Sequence, residues 1–100
     1  MKTNLTEKEG RVVLSIEGDL DTDTCARFRD AIAPLMASAP AAVEIDMSKL
    51  EYISSKALRI LISLQQHVTE QGGKLEATHV PPAIREIFDM TGLTGSFIPA

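Results

Sequence analysis

Ser54 and Ser55 stand at the head of a long apolar-periodic segment, and Arg59 follows Ser55 by one helical turn. Ala57, Leu58, Ile60, Leu61, Ile62, Leu64 and Val68 recur at helical spacing, so the pattern predicts a helix from Ser54 to Gln71. The first turn of a helix carries N–H groups without intrahelical partners and a positive partial charge. A phosphate on Ser55 would be stabilised by both, and Arg59 is placed to pair with it. The same serines can instead cap the helix by accepting from its first amides, and on these residues alone both readings stay open. Asp46 lies on the segment that leads into the serines, and Asp21 closes the turn Gly18-Asp19-Leu20-Asp21. Polar groups of this kind gather beyond the carboxyl ends of strands in α/β sheets, where functional side chains are found.

Other chemistries find little support. His67 and His79 have no carboxylate or cysteine at ligand spacing, and no HExxH or paired CxxC motif occurs, so no metal is expected. Neither GxxxxGK[ST] nor GxGxxG is present, so no nucleotide cofactor is expected. A GxSxG elbow is missing too, and the chain is expected not to be an enzyme. Cys25 falls in an apolar stripe, as a packing residue does. It is the only cysteine, so no internal disulfide can form, and a reducing cytoplasm is the expected setting. The net charge of -4, the scattered Lys and Arg, and the absence of Trp argue against nucleic acid as a partner. No stretch approaches the ~20 apolar residues that span a bilayer, and no leader is evident behind Met1-Lys2-Thr3-Asn4.

The elements that must position the serines are readable. Val12, Leu14 and Ile16 alternate with Val13, Ser15 and Glu17, which predicts a half-buried strand ending at Gly18 to Asp21. Residues 3–8 predict a weaker edge strand joined through Glu9-Gly10. Cys25, Phe28, Ile32, Leu35 and Met36 predict a first helix, capped by Thr22 or Asp23 and kinked or cut short by Pro34. Val43, Ile45 and Met47 predict a strand, followed by a loop over 47–55 that leads into the long helix. Leu75 and Ala77 predict another strand, and Pro81-Pro82 opens a short helix with Ile84, Ile87 and Phe88, ended by Gly92. Phe97-Ile98 is expected as a last edge strand.

Strands that alternate with helices imply parallel crossover units. Each strand alternates apolar with polar residues, so one sheet face is expected to be solvated and the helices to cover the other. The expected architecture is α/β in two layers: a four- to five-stranded mixed sheet with about three helices on one face, residues 1–100 forming one domain. The expected core is Leu14, Ile16, Val43, Ile45, Leu58, Leu61, Ile62, Leu75, Ala77, Ile84, Ile87 and Phe88.

Four stretches together resemble one family. Asp46-Met47-Ser48, followed by Tyr52-Ile53-Ser54-Ser55-Lys56-Ala57-Leu58-Arg59, is similar to the signature of STAS domains. Gly18-Asp19-Leu20-Asp21, Gln71-Gly72-Gly73-Lys74-Leu75 and Phe88-Asp89-Met90-Thr91-Gly92-Leu93 resemble three further family segments, in the same order. Ser54 stands where the family commonly has Asp, Lys56 where it has a second Ser, and Ala57 where it has Gly.

The resemblance implies a STAS-like fold and the function of an anti-sigma factor antagonist. Such a protein sequesters an anti-sigma factor that is a serine kinase of the GHKL type. The kinase phosphorylates the serine at the start of the second helix, the pair separates, and a metal-dependent serine phosphatase resets the cycle. Ser55 falls on that position, with Ser54 as its rival and Ser48 more distant. Asp21, Asp46, Ser54, Ser55, Lys56 and Arg59 are the partner-binding residues this implies, and substituting Asp21 or Arg59 is expected to weaken partner binding while leaving thermal stability nearly unchanged. The alternative is a constitutive STAS subunit of a phospholipid-transport ABC complex.

Overall fold

The computed structural model describes residues 1–38 and 40–98. Strand β1 (Lys2–Lys8) pairs antiparallel with β2 (Arg11–Leu20), and Lys8 faces Arg11 across a two-residue turn. That turn needs left-handed backbone at both positions, which Glu9 (φ 52°) and Gly10 (φ 81°) supply. β2, β3 (Ala42–Ile53) and β4 (Lys74–Thr78) follow in parallel, in the spatial order β1-β2-β3-β4. The crossovers are α1 (Cys25–Ala37) between β2 and β3, and α2 (Ser55–Glu70) between β3 and β4. Helices α3 (Pro82–Thr91) and α4 (Thr94–Phe97) complete the described chain.

Alternation divides the sheet as expected. Leu14, Ile16, Val43, Ile45, Leu75 and Ala77 are buried among the helices, while their neighbours on the strands are exposed or half-buried. On the solvated side Glu44 pairs with Arg11 at 3.3 Å and accepts from the Thr78 hydroxyl at 2.9 Å. The buried residues of α1 and α2 press on the inner face, with Phe28, Leu61 and Leu64 fully enclosed. Two expected core residues, Ile62 and Ile87, pack only against its margin.

Four local expectations are corrected. The stretch 47–53 is strand, not loop: β3 runs on to Ile53 beside β2, which itself continues to Leu20. The alternation fails there because β3 carries two bulges. Ser15 pairs with Asp46 but Glu17 with Lys49, and Gly18 pairs with Leu50 but Asp19 with Tyr52. Each extra residue shifts the inward set by one, so the buried positions run Val43, Ile45, Met47, Leu50, Ile53.

The cap position of α1 is Thr24, not Thr22 or Asp23. Phe97-Ile98 adds no strand. Phe97 belongs to α4 and is buried against Phe88, ring centroids 5.6 Å apart, so burial of one ring decides the conformation of that segment. Among the described residues the sheet therefore has four strands, and the helices number four rather than three. Met36, read as part of the buried stripe of α1, is 39 % exposed.

Candidate functional site

The end of β3 delivers two adjacent serines into different environments. Ser54 has extended backbone (φ −83°, ψ 163°) and is the N-cap of α2. Its hydroxyl accepts from the Ala57 amide at 3.1 Å, and its own amide donates to the Leu20 carbonyl at 2.7 Å. It is the one buried polar residue of the core among the described residues. Ser55, one position on, is the first residue of the helix and is exposed. The Ala57 and Leu58 amides are filled by the side chain and carbonyl of Ser54. The Ser55 and Lys56 amides are the remaining donors of the first turn, beside the Ser55 hydroxyl.

Lys56 and Arg59 are exposed on the same turn. Together with Ser54 and Ser55 they line an open groove of about 1170 Å³ between α1 and α2. Arg29 of α1 reaches the same groove, with Ile32, Ala33 and Met36 below it and Ile60 and Leu64 of α2 opposite. Tyr52 closes the end nearest the sheet and is half exposed. Among the described residues none of Arg29, Lys56 and Arg59 forms an ion pair. Spacing alone could have found the α1 wall: Arg29, Ile32, Ala33 and Met36 stand at i, i+3, i+4 and i+7, one strip beside the core stripe. The second bulge of β3 hides Tyr52 from such a reading, because it turns the side chain away from the expected face.

The other expected residues lie elsewhere or have other tasks. Asp46 is on the solvated face of the sheet, where it accepts from the Ser48 amide at 3.0 Å, and a shallow depression there joins it to Ser15, Ser48 and Lys49. Alternation with the buried Ile45 and Met47 puts it there, so Asp46 and Ser48 are not brought to Ser55.

Asp21, expected from the sequence to leave stability nearly unchanged when substituted, is bonded within the turn into α1. Its carboxylate accepts from the Thr24 amide at 3.0 Å, and its own amide donates to the Thr24 hydroxyl at 2.9 Å. This reciprocal pair resembles a capping box shifted one turn earlier.

Cys25 is buried, and its thiol donates to the Asp21 carbonyl at 3.2 Å. His79 is exposed, whereas His67 is half-buried with Nε2 left without a partner. No group of three or more His, Cys, Asp or Glu capable of holding a metal ion occurs among the described residues. Nor is any helix there long and apolar enough to cross a membrane.

Comparison with known proteins adds a family to this geometry. The family model described as "Mlab, STAS domain" matches residues 3–99. The putative anti-sigma factor antagonist BtrV of Bordetella bronchiseptica is 23 % identical over 97 residues, spanning 97 % of this chain and 84 % of that protein. The crystal structure of an anti-sigma factor antagonist from Mycobacterium paratuberculosis superposes with a TM-score of 0.83 at 29 % identity, covering 99 % of this chain and 86 % of the other. Unphosphorylated SpoIIAA, also an anti-sigma factor antagonist, gives 0.82 at 18 % identity over 99 % of this chain and 88 % of its own, a likeness of fold. With its β1-β2-β3-β4 mixed sheet, its serine-capped second helix and a family match along almost its whole length, the chain belongs to the STAS domain family, in the form shared by the anti-sigma factor antagonists.

Proposed function

We propose that this protein is a phosphorylation-switched antagonist of an anti-sigma factor, with Ser55 as the switch. The observation that carries the reading is the division of labour between the two serines. The Ser54 hydroxyl is buried and spent on the Ala57 amide, whereas the Ser55 hydroxyl is exposed at the start of the helix beside Lys56 and Arg59. A kinase active site can reach the second and not the first.

The partner is an anti-sigma factor that is itself a serine kinase of the GHKL type. The unphosphorylated protein binds it and keeps it from its sigma factor. The kinase then transfers the γ-phosphoryl group of ATP to Ser55 Oγ; the hydroxyl proton leaves and ADP is released. The modification adds about -1.5 to -2 charges at neutral pH. The free Ser55 and Lys56 amides and the helix dipole accept that charge without unfolding α2. Release of the partner therefore follows from changed charge at the contact surface. A metal-dependent serine phosphatase returns the protein to its binding form.

Incubation with the cognate kinase and ATP, followed by mass spectrometry, tests the assignment. Phosphate on Ser55, and its loss in Ser55→Ala, is the expected result; phosphate confined to Ser54, or none on the wild type, defeats it. A constitutive subunit of a phospholipid-transport ABC complex makes the opposite prediction. It would hold its ATPase with equal affinity whether position 55 carries Ser or Asp.

A further inference from the structure

The groove between α1 and α2 has a charge unlike the rest of the molecule. The chain carries ten Lys and Arg against fourteen Asp and Glu, for a net charge of -4. Among the described residues the groove takes three of those cations, Arg29, Lys56 and Arg59, and none of the acids. None of the three is neutralised by an ion pair among the described residues. Beneath them the accessible apolar surface is that of Ala33 and Met36 on α1 and half-exposed Tyr52 at one end, laid over the buried Ile32, Ile60 and Leu64. Cations held around the exposed Ala33, Met36 and Tyr52 call for an occupant that brings both carboxylates and apolar side chains.

We infer that this groove seats an acidic, partly apolar segment of the anti-sigma factor, with Arg29, Lys56 and Arg59 gripping its carboxylates. The inference rests on the function proposed above and adds where the partner docks and what chemistry it presents. The groove runs along α2 from Ser55 to Leu64, roughly 14 Å at the helical rise, which suits an amphipathic helix of about three turns laid in it. Tyr, Met and Arg are the side chains that interface centres favour over the rest of a surface. A nucleic acid backbone would satisfy the cations and leave Met36 and Tyr52 uncovered.

Ser55 lies in the wall of the same groove, so its phosphate becomes a competing anion inside the site. It pairs in cis with the cations that held the partner's carboxylates and repels those carboxylates as well. Arg29 gains a role the second helix alone does not suggest: it stands on the opposite wall, and its charge makes the groove selective for an acidic segment.

Calorimetry with the purified cognate anti-sigma factor tests this, using four variants of the full chain whose melting temperatures are checked first. Arg29→Glu reverses the charge at an exposed position. Ala33→Trp fills the groove and leaves every charge in place. Arg85→Glu makes the same reversal on α3, where Arg85 is exposed, and Ser55→Asp reports on the switch. Arg29→Glu and Ala33→Trp should each weaken binding tenfold or more, with Arg85→Glu within twofold of wild type. Wild-type affinity in Arg29→Glu while Ser55→Asp still weakens binding overturns the groove and leaves the switch standing. Unchanged affinity in Ala33→Trp, or equal loss in Arg29→Glu and Arg85→Glu, also overturns it, the latter by reducing the effect to net charge. If wild type binds no anti-sigma factor, the proposed function falls and the groove with it.

Discussion

Between Leu20 and Cys25 the chain takes four residues to turn from β2 into α1; between Ile53 and Ser55 it takes one to turn from β3 into α2. The two turns lie side by side at one end of the sheet and are tied by the bond from the Ser54 amide to the Leu20 carbonyl. They spend their polar side chains differently. In the first, the Asp21 carboxylate and the Thr24 hydroxyl satisfy each other's backbone amides, and the Thr24 hydroxyl also contacts the Asp19 carbonyl at 3.1 Å. In the second, one hydroxyl does the capping and the next is left over. The first turn spends Asp21 and Thr24 on its own backbone, and its exposed Thr22 lies ahead of the helix rather than in its first turn. A turn with a spare hydroxyl at a helix start, beside Lys56 and Arg59 in the wall of a groove, has a group available for modification.

The sharpest way to break this comparison is to charge the spare group. Ser55→Asp should weaken binding of the anti-sigma factor by about a hundredfold, or ~3 kcal/mol. A carboxylate is smaller and less charged than a phosphate, so the phosphorylated protein should bind more weakly still. Titration calorimetry on both forms reads the effect. Equal affinity in all three states would put the second turn in the same structural class as the first.

The next effect is on folding and belongs to Ser54. Ser54→Ala removes the acceptor of the Ala57 amide in a buried setting and should cost about 1–2 kcal/mol in urea denaturation, the upper part of the range for a lost cap. Ser54→Asp restores a good capping side chain and should recover most of that loss. Neither substitution should prevent phosphorylation of Ser55. A Ser54→Ala protein as stable as wild type would mean that the cap does not hold the helix start.

Asp21→Ala should cost about 1 kcal/mol, because it removes the acceptor for the Thr24 amide in the first turn. Thr24→Val breaks the reciprocal bond, and the double variant should lose less than the sum of the two, since both report on one pair. Additive losses would show that the two bonds act independently.

The two turns also show which parts of this molecule are legible in its sequence. The strands and long helices are, because Leu14 and Ile16, or Leu61, Leu64 and Val68, repeat with the period of the surface that buries them. The stretch 47–53 is not, because two bulges shift the inward set from odd positions to Leu50 and then to Ile53, and a broken alternation reads as loop. Phe97 misleads for another reason: a lone aromatic residue carries no period, and its place is set by Phe88, which the sequence separates from it by a glycine turn. At the site, Ser55 and Arg59 are visible because they share one helix. Arg29 and Asp46 are not, since crossover geometry brings the one into the groove and strand pleat takes the other to the opposite face. Which serine caps and which is spare depends on one step of backbone register, and the pair Ser54-Ser55 looks symmetrical until the strand end is located.

The smallest expected effect is the most discriminating. Ser55→Ala should change folding stability by no more than about 0.5 kcal/mol, the range for surface positions away from caps and buried groups. Ser55 is exposed, and no hydrogen bond of its hydroxyl is seen among the described residues. Alanine also suits the first turn of a helix at least as well as serine does. The same substitution should abolish phosphorylation and leave the protein bound to the kinase in the presence of ATP. A change silent in denaturation and decisive in release has no structural explanation, because a residue that held the fold would register in both measurements. Should Ser55→Ala instead cost as much as Ser54→Ala, the second serine would be sharing the cap, and the division of labour between the two serines would not exist.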